Sequence, residues 1–252
     1  MRVRITLLGY AGIVVLLGYA IVWLALTVMA REASTDTALA AELAERRALL
    51  TTGHVLDNLP APLATFLPVA ALIVGGQFLR TEFRSGLLAF LAARGVARSS
   101  LALAKAIALF LVGLTTAAGT IAVGLASSWV VTGHVDGFPP VGPLAAFVLI
   151  FALTWTWWGA VGMIVTTVTR SSHAATALAV IWLVAGSVVA QLSTGNHVAA
   201  RLLHWTPPEL SARAWQATDG AASGLPALLV LAGHVAVAVW AAQRLLRHIE
   251  LD

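Results

Sequence analysis

Cysteine is absent from all 252 residues, so disulfides, thiolate nucleophiles and cysteine-ligated metals are excluded. Charge is scarce as well. Asp, Glu, Lys and Arg make up 10% of the chain, against about a quarter in an ordinary soluble domain. Lysine is all but missing, with Lys105 the single example beside fourteen arginines. Ala104 precedes that lysine, so the phosphate-cradling sequence G-x-x-x-x-G-K-[ST] does not occur, and no other segment offers a nucleotide loop. Neither H-E-x-x-H nor G-x-S-x-G is present. Seven histidines (His54, His134, His173, His197, His204, His234 and His248) are scattered without ligand spacing on any one helix. The sequence therefore holds no candidate catalytic residue and no metal set. No cofactor is expected on this chain.

What the chain has is apolar surface. Hydrophobic residues make up 60% of it and the mean hydropathy is +0.91. A helix that crosses a hydrocarbon core of about 30 Å needs about 20 mostly apolar residues. Six runs satisfy this without a single Asp, Glu, Lys or Arg: 5–30, 59–79, 106–132, 143–169, 174–194 and 224–243. One charge at a helix centre costs about 2.5–3.5 kcal/mol on insertion scales, so six charge-free runs define an all-α integral membrane protein. The whole of 1–252 reads as one transmembrane domain. The first run, though preceded by Arg2 and Arg4, is too long for the core of a secretory signal. It reads as a retained first helix.

The net charge of +4 and the pI of about 10.6 do not point to nucleic acid, because the basic residues flank the apolar runs. With the N-terminus inside, the cytoplasmic set is Arg2, Arg4, Arg80, Arg84, Arg94, Arg98, Lys105, Arg170, Arg244 and Arg247. The outer set is Arg31, Arg46, Arg47, Arg201 and Arg213, half as many. Both termini are thus expected in the cytoplasm. The preference for arginine, among abundant Ala, Leu, Val and Gly, suggests a bacterium with a GC-rich genome and hence its inner membrane.

Three connections exceed a turn. The outer segment 31–58 places Leu39, Leu43 and Leu50 at helical spacing, which predicts a short extracellular helix over 36–50. The outer segment 195–223 carries Trp205, Pro207, Pro208 and Trp215 and is expected to dip into the headgroup layer. The cytoplasmic elbow 80–105 is the most informative. Phe83, Leu87, Phe90 and Leu91 fall on one helical face, ringed by Arg80, Glu82, Arg84, Arg94 and Arg98, and Gly95 interrupts the pattern. A short amphipathic helix lying flat at the inner surface follows.

Glu82, Gly86, Leu88, Leu91, Arg98 and Lys105 stand in an order and spacing that resembles the elbow of ABC-2-type ABC transporter permeases. Leu87 replaces a common threonine there and Gly95 a common proline. The resemblance extends to six spans, a sizeable first outer loop and a Trp/Pro-containing loop before the last span. It implies the membrane subunit of a bacterial ABC exporter, multi-pass in the cytoplasmic membrane. Glu82, Phe83, Arg84, Gly86, Leu87, Phe90, Leu91, Arg94 and Arg98 would then form a coupling helix, 82–94 with Arg98 beyond it, seated in a separate ABC ATPase. ATP and Mg would belong to that partner, and a second permease chain, identical or related, would complete a dimer. By the same resemblance the cargo is a drug, antibiotic, peptide or lipid-like amphiphile moving outward. The plainer reading of the elbow is a basic loop that fixes orientation and binds anionic lipid.

Within the spans, His234 lies near the middle of the sixth, where an ionisable group marks a functional candidate. It is equally accounted for by a neutral imidazole bonded to a neighbouring helix. Trp155, Trp157 and Trp158 sit halfway along the fourth span, with Trp182 in the fifth. Interfacial belts put tryptophan at helix ends, so these indoles either line a path for an amphipathic substrate or fill the bundle. Gly and Ala abound in every span and allow close helix approach. Two rivals remain. An ion-coupled secondary transporter would place carboxylates near the midplane, and no span has one. A non-transport membrane subunit, such as an immunity or assembly factor, would reuse the same fold.

Overall fold

A computed structural model describes residues 56, 60–85, 90, 93–94, 98–132, 137–195, 206–216 and 224–248. Six helices order them: α1 (Pro60–Arg84), α2 (Arg98–Thr132), α3 (Val141–Thr169), α4 (Ser172–Gly195), α5 (Pro207–Gln216) and α6 (Gly224–His248). No strand occurs among the described residues. Five of the helices contain the apolar runs 59–79, 106–132, 143–169, 174–194 and 224–243. The run 5–30 and the outer helix expected at 36–50 lie outside the described residues. Three stretches are long and apolar enough to cross a membrane by length and composition: Ser100–Ala126, Val141–Thr169 and Leu225–Arg247. Shorter apolar stretches occupy Phe66–Arg80 and Ser172–Ala185.

α3 is the centre of the bundle, and all five other helices pack against it. Its apolar window is 56% buried, against 28% in α2 and in α6. Phe147, Ile150, Phe151, Trp155 and Met163 of α3 are fully enclosed, with Leu67, Leu72 and Leu79 from α1 and Leu109 from α2. α1 pairs with α4 on one side of α3, and α2 with α6 on the other. Among the described residues, α1 and α2 scarcely touch each other.

The α1–α3 crossing is made of backbone. A methyl group on Gly75 would overlap the Gly159 carbonyl, and one on Gly162 would overlap the Leu72 carbonyl. Small residues let helices approach this closely, which gains dispersion where hydrocarbon surroundings provide no hydrophobic drive. α3 ends in a tight reversal. Arg170 takes the left-handed conformation (φ 53°, ψ 19°) that closes helix C-termini, and α4 starts two residues later.

The segment before the last span contains a helix, α5. Thr206-Pro207-Pro208-Glu209 opens α5 with a Thr and a Glu three residues apart, and with Pro in the first turn, where no N–H is missed. The Leu210 N–H donates to the Thr206 carbonyl at 2.9 Å. Leu210, Ala214 and Trp215 are buried, and α5 packs on α6 and α3. Trp215 therefore turns into the protein.

Candidate functional site

The connection from α1 to α2 is shorter than its charges imply. α1 runs on as helix through Glu82, Phe83 and Arg84, with a turn at Ser85. α2 begins at Arg98, so Lys105 already lies two turns inside it. Charge ends an apolar run, but it does not end a helix, whose backbone bonds are unaffected by crossing into a polar layer. The connection proper is 85–97.

Its root is a buried ion pair. The Lys105 Nζ donates to Glu82 Oε1 at 2.5 Å, and the two side chains are 12% and 2% exposed. The same ammonium lies 5.5 Å from the centroid of the Phe78 ring. Phe78 and Glu82 are one turn apart on α1 and share a face. A cation reaching across from α2 is therefore held by a carboxylate below and a π-face above. The chain's one lysine occupies this position, a compact ammonium on a flexible stem. The first and last residues of the sequence motif are thus brought together, 23 positions apart. The carboxylate of Glu82 points into the protein. The signal for this pairing was in the sequence as opposite charges flanking two apolar runs, but spacing alone does not predict a contact between helices.

The described residues of the connection beyond its root, 90, 93 and 94, are exposed. Phe90 is 51% exposed, and the Arg94 guanidinium stacks over its ring at 4.5 Å. The Arg94 N–H donates to the Phe90 carbonyl at 3.3 Å, so the two share one helical turn. Phe83 is half-buried against the core. Gly86, Leu87 and Leu91 lie outside the described residues, as do the side chains of Arg84 and Arg98.

The aromatic candidates divide into two groups. Phe147, Phe151 and Trp155 follow one stripe of α3 and continue to Trp215 of α5: Phe147–Trp215 6.3 Å, Phe147–Phe151 6.1 Å, Phe151–Trp155 6.2 Å between centroids. In the second group, Trp158 meets Trp157 edge-on at 4.6 Å and Trp182 of α4 at 4.6 Å. The buried Nε1 atoms of Trp155 and Trp158 have no hydrogen-bond partner among the described residues. His234 Nδ1 donates to the Val230 carbonyl of its own helix at 2.9 Å, so its partner is one turn back and not a neighbouring helix. No described contact joins His234 to the tryptophans.

Helices this long, with apolar residues on their outer faces and no strand among the described residues, make this an integral membrane protein. The chain belongs to the ABC-2 family transporter proteins, whose family model matches residues 1–241. It is thus a permease subunit of an ABC transporter, a family that typically works with an ABC ATPase. No curated protein and no solved structure matches the chain.

Proposed function

We propose that the chain is the membrane half of a bacterial ATP-driven exporter, and that its 85–97 connection docks on the cytoplasmic side into a separate ATPase subunit. The observation that carries this reading is the exposed Phe90 with Arg94 stacked on it, held on a connection whose two ends are tied together. An aromatic anchor beside an arginine is the composition that dominates binding energy at protein interfaces. ATP and Mg are held by the partner. Six spans with both termini inside, and a second permease chain across the pathway, complete the assembly. The cargo is an amphipathic or hydrophobic molecule, for which Trp157, Trp158 and Trp182 supply aromatic surface. Trp155 and His234 contribute to its path when the bundle opens.

The test is retention of the ATPase. Phe90→Ala and Arg94→Ala should each weaken co-purification of a co-expressed ATPase subunit from membranes, by about 2 kcal/mol for the anchor, with permease insertion unchanged. Glu209→Ala, an exposed change on α5, serves as control. Wild-type retention in both elbow variants would leave the connection a topological anchor and favour a non-transport subunit.

A further inference from the structure

The pair at the root of the connection has a role distinct from docking. We propose that Glu82 and Lys105 are positioning residues: their buried contact fixes the width of the root, so that α1 and α2 carry any displacement of the connection to α3 together. This rests on the proposed docking of the connection.

Three observations carry it. First, α1 and α2 scarcely touch, yet both pack on α3. Without the pair, a push on the connection would spread its two ends before it moved the centre of the bundle. Second, the contact is almost fully enclosed. Burying two charges costs desolvation that their attraction only roughly offsets, and apolar side chains of similar size would be as stable. An ion pair at such a place adds a defined geometry where greasy contact would slide. Third, Lys105 is held from two sides, by Glu82 and by Phe78 one turn away, which restrains α2 both along α1 and across it. Glu82 is then an inward brace, and the exposed Phe90 and Arg94 are the surface a partner grips.

The absence of cysteine makes the test direct. Spin labels at Ser85 and Leu103, both exposed, report the root. Labels at Leu111 of α2 and Ile181 of α4, both exposed, report movement on opposite sides of α3. Pulsed dipolar spectroscopy is run on the permease–ATPase complex in nanodiscs, with and without Mg and a non-hydrolysable ATP analogue. In the otherwise unaltered chain the root distance is narrow and indifferent to nucleotide, while the Leu111–Ile181 distance shifts. In Glu82→Gln and in Lys105→Met the root distance broadens and the nucleotide-driven shift is lost, with ATPase retention unchanged. The exchange Glu82→Lys with Lys105→Glu restores both. The apolar pair Glu82→Leu with Lys105→Met guards against simple misfolding. It folds, but its root stays broad.

A narrow root or a preserved shift in the single variants or in the apolar pair overturns the inference. Loss of ATPase retention in Glu82→Gln also overturns it, by making Glu82 a docking contact, and leaves the docking reading intact. That reading fails separately, through Phe90 and Arg94.

Discussion

Trp155 is completely buried, stacked on Phe151, and its indole N–H has no hydrogen-bond partner among the described residues. A buried donor left unpaired costs about 1–3 kcal/mol, so this residue contributes volume and contact at the expense of an orphaned polar atom. Replacing it with Phe removes that atom and part of the ring together. Trp155→Phe should change stability by less than about 1.5 kcal/mol, whereas Trp155→Ala should cost about 3–5 kcal/mol. Thermal unfolding of the detergent-purified permease checks this. A Phe variant as unstable as the Ala variant would show that the indole N–H is paired in the working protein. The three tryptophans of this stretch look like one feature in the sequence, because they crowd into four positions. Helical spacing sets only Trp157 apart: Trp155 follows Phe147 and Phe151 at intervals of four, Trp158 falls within the same stripe, and Trp157 lies roughly 160° from Trp155. The partners Trp215 and Trp182 belong to other helices, so no spacing within α3 predicts them.

The crossing of α1 and α3 depends on two glycines with no room to spare. Gly75→Ala and Gly162→Ala each drive a methyl group into backbone, which cannot rotate away. Each should destabilise by at least about 1–3 kcal/mol. Gly159→Ala instead meets the flexible side chain of Leu109, with Cδ1 at 2.8 Å, and should be milder. Gly233→Ala on α6 meets nothing within 4 Å and should be neutral or stabilising, by about 0.5–1 kcal/mol from helix propensity. Size-exclusion profiles after graded heating would rank the four. Equal damage from Gly233→Ala and Gly75→Ala would rule out the crossing as the cause. The elements themselves were legible, because long charge-free runs leave the backbone no option but helix in hydrocarbon. Their ends were less so. Helices α1 and α2 continue into charged residues that a hydropathy criterion discards, and α5 hid behind prolines that read as loop although Thr206 and Glu209 spell a helix start.

For the molecule as a whole, the exposed faces of α2, α4 and α6 are apolar, with Ile107 and Leu111, Val180 and Ile181, and Leu229 and Val237 among them. So large an apolar exterior is what a bilayer covers. Orientation rests on the distribution of arginine, and single cysteines can report it. Phe138→Cys and Glu209→Cys, at exposed positions on the outer connection and on α5, should react with impermeant maleimide on whole cells. Ser85→Cys, exposed at the end of α1, should react only after the membrane is opened. Labelling of Ser85→Cys from outside would invert the topology and remove the connection from any cytoplasmic partner. The all-helical membrane class was legible at this scale because composition alone excludes a soluble core. Which helix forms the centre was not, since burial within a bundle leaves no mark on a uniformly apolar sequence.

The ion pair at the root has a chemical consequence as well as a mechanical one. Among the side chains, Lys105 is the only primary amine, and in the closed root it is 12% exposed and neutralised by a carboxylate. An amine-acylating reagent therefore has one side-chain target in the whole subunit, shielded while α1 and α2 are tied. The integrity of this joint is written into the mass of a single peptide, without any alteration of the protein.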